Sequence, residues 1–103
     1  MKEPRQNYDD LVELWVGGSK QCDISVHLVG YVDVIEAPTF GVLIQRDGTT
    51  SWEGSIVSGL SKTELMCLLS EKLELHFPDG RVGVAMLKDS TGWLSGIRET
   101  PFG

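Results

Sequence analysis

A chain of 103 residues, 41% hydrophobic and 23% charged, has the make-up of one globular unit: too short for two independent cores and too apolar to be disordered. Fifteen acids against nine scattered bases give a formal net charge of −6, which argues against nucleic acid and anionic membranes as partners. No apolar run approaches the ~20 residues of a membrane span, and the polar opening is no signal peptide, so a cytoplasmic setting is expected.

Residues 1–8 read as a flexible polar tail on a single domain covering 1–103. The first strand is expected at 11–16, followed by a turn at Gly17-Gly18-Ser19-Lys20. Next, Cys22, Ile24, Val26 and Leu28 alternate with Asp23, Ser25 and His27, the period of a strand with one buried and one wet face. Gly30 predicts a bulge or bend before the pattern resumes at 31–35. Ala37-Pro38-Thr39 breaks the run, a further strand is expected at 40–45, and Asp47-Gly48 signals a hairpin returning over 50–57.

Ser61 followed by Glu64 is a capping box, with Leu60 and Leu65 at the hydrophobic-staple positions and Leu65, Leu68 and Leu69 forming a stripe. A short α-helix is therefore expected near residues 61–70. Beyond it, Leu73, Leu75 and Phe77 alternate, Pro78-Asp79-Gly80 makes a turn, and strands are expected at 81–87 and 93–98. Twelve glycines punctuate these runs. The fold class is mainly β: about seven antiparallel strands in a small barrel or strongly coiled sheet, with one short helix.

Motifs for chemistry are scarce. The chain has no Gly-x-Ser-x-Gly elbow, no phosphate-cradling glycine motif and no Cys-x-x-Cys, so no catalytic residue, metal or cofactor is assigned. Cys22 and Cys67 read as reduced core thiols. His27 and His76 lie on the polar faces of their strands, and Asp33, Glu36 and Glu13 are outward strand charges unless a pocket encloses them. The aromatic set Trp15, Trp52 and Trp93, with Tyr31, Phe40 and Phe77, falls on different strands; a closed sheet would gather these rings to fill a core or line an apolar pocket. The candidate ligand-binding residues are Trp15, Tyr31, Trp52, Trp93, His27 and His76.

Three functions fit this reading. The first is a non-catalytic domain holding a small apolar or aromatic molecule. The second is a protein-interaction or homo-oligomerisation module using a strand edge or apolar face. The third is a small cyclase- or isomerase-like enzyme using Asp33, Glu36 or a histidine, which requires such a group inside the barrel.

Several signposts occur in order along the chain: Val26-His27-Leu28-Val29-Gly30, Trp52-Glu53-Gly54, the glycine-bearing run 80–87, and Gly92-Trp93-Leu94-Ser95-Gly96 before Pro101-Phe102. In these the chain resembles a family of small bacterial β-domains of unknown function, found alone or fused to flavin-dependent monooxygenases. The resemblance implies a small barrel-like domain and no reaction.

Overall fold

The structure, a computed structural model, describes residues 2–39, 42–97 and 100–102, and only the backbone course for those among 35–49. In chain order the elements are β1 (Lys2–Val16), β2 (Ser19–Thr39), β3 (Val42–Ser58), α1 (Lys62–Cys67), β4 (Lys72–His76), β5 (Val82–Leu87) and β6 (Trp93–Gly96). All strand pairs are antiparallel, and the sheet closes into a barrel in the order β1-β2-β3-β6-β5-β4, with β4 returning to β1.

Six strands stand where about seven were expected, because long-range pairing overrides one local turn signal. The Asp47-Gly48 dipeptide does not reverse the chain. Pairing passes from Val32↔Thr50 to Val34↔Asp47, so the extra residues form an irregularity within a continuous β3. The strands expected at 40–45 and 50–57 are thus one, and Phe40 lies outside the described residues. Gly30 does not interrupt β2 either: the neighbouring register shift falls on β1, between Pro4 and Gln6. Residues 2–8, expected to trail as a polar tail, pair with β2 from Lys2↔Asp33 onward.

Alternation explains the core. Val12 and Leu14, then Ile24, Val26 and Leu28, then Trp52 and Ile56 face inward, joined by Leu73, Leu75, Ala85, Leu87 and Leu94. At one end of the barrel α1 adds Leu65 to this cluster, with Leu60 and Leu68 packed beside it. Ser61 caps the helix as the capping box requires: Glu64 N donates to Ser61 Oγ, and Ser61 N donates to Glu64 Oε1. The helix is shorter than 61–70. Leu69 leaves it to bridge Leu87, and Ser70 takes a positive φ of 63°.

The opposite end is closed by aromatic rings. Tyr8 meets Phe77 edge-on at 4.9 Å, while Phe102 lies 6.0 Å from both Phe77 and Trp52. Beyond this end the sheet continues. β1 accompanies β2 as far as Asp33, after which β2 and β3 run on as a two-stranded ribbon from Val34↔Asp47 to Thr39↔Val42. Six residues of ribbon span roughly 20 Å at strand rise. The ribbon fits the elongated extents of 56 × 27 × 22 Å and a radius of gyration of 15.9 Å, against about 13 Å for a compact chain of this length.

Candidate functional site

The six residues expected to bind a ligand do not converge. Trp52 alone enters the barrel, where it is 2% exposed. It belongs to the aromatic cluster that packs the barrel end, so the expected gathering of three tryptophans around one pocket is not what the fold produces. Trp15 and Trp93 stand on the outer face, one residue out of step with inward-facing Leu14 and Leu94, and Trp93 is 41% exposed. Tyr31 is half-buried on the outside of β2. Burial, then a hydrogen bond to Glu53 and its charge, holds the Tyr31 phenol above its ordinary value.

The histidines do not meet either. His27 is exposed and paired with Asp9 across the β1–β2 ladder. His76 stacks on Trp15, with ring centroids 4.4 Å apart and planes 16° from parallel. Pairing of Trp15 with Glu74 and of Glu13 with His76 brings these side chains together. Trp15 Nε1 donates to Glu13 Oε1 at 3.1 Å, and Lys20 Nζ bridges Glu13 at 3.6 Å and Asp23 at 3.2 Å. A groove of about 420 Å³ runs along this face, lined by Leu11, Glu13, Asp23, His76, Phe77 and Pro78. The His76 ring lines it, while the His76 Nε2 atom is shut off from solvent and makes no hydrogen bond. Glu74 Oε1 lies 3.5 Å away, too far for a good bond.

The interior offers nothing to titrate. Among the described residues no polar or charged side chain is buried, and no group of three His, Cys, Asp or Glu could hold a metal ion. The Asp33 side chain is half-buried outside the core, and that of Glu36 lies outside the described residues. Among the described residues no carboxylate or imidazole side chain is buried in the barrel. The cysteines correct a further expectation: Cys67 is exposed and Cys22 is half-buried beside α1. Both line a cleft of about 260 Å³ with Leu14, Leu60 and Leu68, and burial, then the Glu64 and Asp23 charges, pushes the Cys22 thiol up.

Sequence reasoning missed Tyr8 and Phe102, the other rings of the barrel-end cluster. They arrive with three glycines. A Cβ on Gly30 would stand 2.9 Å from Thr100 Cγ2 and 3.4 Å from Phe102 Cε2. One on Gly83 would meet Pro101 Cγ at 2.5 Å, and one on Gly96 would strike the Trp52 indole. The segment Thr100-Pro101-Phe102 thus crosses the barrel end on a glycine floor. Its signal in the sequence was the Gly96…Pro101-Phe102 spacing, quoted above as a signpost without a structural role.

No described helix is long and apolar enough to cross a membrane. No family model, curated protein or solved structure matches the chain.

Proposed function

We propose that this barrel is a binding module that works through its outside, and that its principal partner is a second copy of itself, docked along the β2–β3 ribbon. The observation that carries the reading is the ribbon. Two strands without a third are marginal in water, and the sequence at 34–44 is mostly apolar, with Val34, Ile35, Ala37, Pro38, Val42, Leu43 and Ile44. Such a ribbon gains stability only when covered. Beyond Glu53, toward the ribbon tip, β3 pairs with no strand but β2 among the described residues, leaving an open edge.

A copy of the same chain suits that edge. Antiparallel pairing of β3 with its own copy is an isologous two-fold contact. A two-fold at Leu43 sets that residue opposite its own copy and Val42 opposite Ile44, so apolar residues fall in register. Sedimentation velocity over a concentration series tests this. A species of twice the 11.3 kDa chain mass that dissociates on dilution is expected. A monomer at every concentration up to the millimolar range overturns it.

A second reading rests on the outer groove. The groove-lining His76 ring, the Trp15 ring stacked on it and the Glu13 and Asp23 carboxylates suit a small aromatic amine, as does the overall negative charge. Tryptamine should perturb the His76 ring resonances, and an unchanged His76 spectrum at saturating tryptamine counts against this reading.

A further inference from the structure

We propose that Thr100-Pro101-Phe102 is a displaceable strap over a binding site, and that the site takes a flat aromatic molecule bearing a hydrogen-bond acceptor. This site is separate from the ribbon and does not depend on it.

The first observation is the Trp52 indole nitrogen. Trp52 is 2% exposed, yet its Nε1 has no hydrogen-bond acceptor among the described residues. A buried N–H without a partner is rare in folded proteins and calls for an explanation. Its neighbour in the cluster is Phe102, with ring planes at 90° and centroids 6.0 Å apart. A phenyl ring carries no acceptor atom, so the present occupant leaves the donor unpaired.

The second observation is how the strap is held. Residues 100–102 belong to no strand. Their one hydrogen bond among the described residues is Thr100 Oγ1 donating to the Ser51 carbonyl at 3.2 Å. Pro101 has no N–H to give. What keeps the strap down is packing: Pro101 over Gly83, Thr100 over Gly30, and the Phe102 ring against Tyr8, Trp52 and Phe77. A segment held by side-chain packing and one side-chain hydrogen bond can leave without breaking the barrel ladder.

The third is the shape left behind. Gly30, Gly83 and Gly96 present bare backbone where side chains would otherwise stand, beside Tyr8, Trp52 and Phe77. Removing the Phe102 ring opens a slot beside Tyr8, Trp52 and Phe77, and the Trp52 N–H stands next to it over bare Gly96, 2.3 Å from where a Cβ would be. A ring bearing a carbonyl would reproduce the Phe102 packing and also accept from Trp52 Nε1. A plain hydrocarbon ring would do only the former.

That difference supplies the test. The three indole N–H resonances of the full chain are followed by NMR, with Trp15→Phe and Trp93→Phe used to identify the Trp52 signal. Acetophenone and toluene serve as probes, one ring with a carbonyl and one without. Acetophenone is expected to move the Trp52 indole proton downfield, while toluene leaves it in place. Phe102→Ala removes the competing ring and should bind acetophenone at least tenfold more tightly than the wild type. Thr100→Val, which keeps the ring and removes the hydrogen bond to Ser51, should shift affinity in the same direction; it also decides the matter if Phe102→Ala does not fold. A Trp52 resonance unmoved by acetophenone in wild type and folded variants overturns the proposal. So does toluene binding as tightly as acetophenone, which marks a plain apolar cavity.

Discussion

The Trp52 indole fills the space that a side chain at position 96 would need: a Cβ built on Gly96 would stand 2.5 Å from Trp52 Cδ1. The indole is boxed in by Phe102 and by the backbone at Gly83, so it has little room to retreat. Gly96→Ala should therefore destabilise the barrel by about 1–3 kcal/mol, the usual cost of overpacking a core. The same change at Gly83 meets Pro101 first, at 2.5 Å, and the Trp52 indole only at 3.1 Å, and the strap can lift. Gly83→Ala should cost less while loosening residues 100–102. Urea unfolding of the two variants checks the ranking, and equal losses would contradict it.

The three tryptophans should report three different environments. Trp52 is sealed in the core, Trp15 is half-buried under His76, and Trp93 is 41% exposed. Acrylamide is expected to quench most of the Trp93 emission and almost none from Trp52. Trp93→Phe should remove the quenchable, red-shifted component and leave stability close to wild type. Trp52→Ala should cost about 3–5 kcal/mol, as removal of a large buried ring does. A quenching curve unchanged by Trp93→Phe would show that Trp93 is covered in solution.

Which tryptophan turns inward was written in the period-two pattern. Trp15 is out of phase with Val12 and Leu14, and Trp93 adjoins inward-facing Leu94, whereas Trp52 shares parity with Ile56. Counting aromatic rings per strand, without their phase, led to the expectation that they would converge, in a core or around a pocket. The helix start was legible because a capping box is a local signal that tertiary structure has no reason to override. Asp47-Gly48 misled for the opposite reason. Its turn propensity is local, while the pairing of β3 with β2 on both sides of it is worth more than one tight turn. The role of Phe102 was hidden, because a ring in an irregular segment carries no periodicity to place it.

Loop 88–92 carries the clearest pH signature. Asp89 Oδ1 accepts hydrogen bonds from Thr91 Oγ1, from Thr91 N at 2.9 Å and from Trp93 N at 3.3 Å. The Thr91 hydroxyl bond leads these interactions in holding the Asp89 carboxyl below its ordinary value. In the unfolded chain the group returns to the ordinary carboxylate value of about 3.9. A carboxyl whose folded pKa is depressed contributes stability above the unfolded value and loses it as pH falls through the folded one. Asp89→Ala should lower the urea midpoint at pH 7, and its gap from wild type should narrow steadily as pH drops below the carboxylate range. A gap independent of pH would mean that Asp89 acts by shape alone.

The ribbon reading makes a prediction about location as well as mass. If copies associate along β3, charge placed at Leu43 and Ile44 should abolish association, because burying like charges against their own symmetry copies costs more than the apolar contact supplies. Leu43→Asp with Ile44→Asp is therefore expected to give a species of one chain mass, 11.3 kDa, at concentrations where the wild type is paired. The barrel itself should survive, since β6 joins β3 through Glu53, Gly54 and Ser55, well away from the ribbon tip. Far-ultraviolet circular dichroism and the Trp52 emission maximum check that the fold is kept. A pair that persists in the double aspartate variant would place the contact elsewhere.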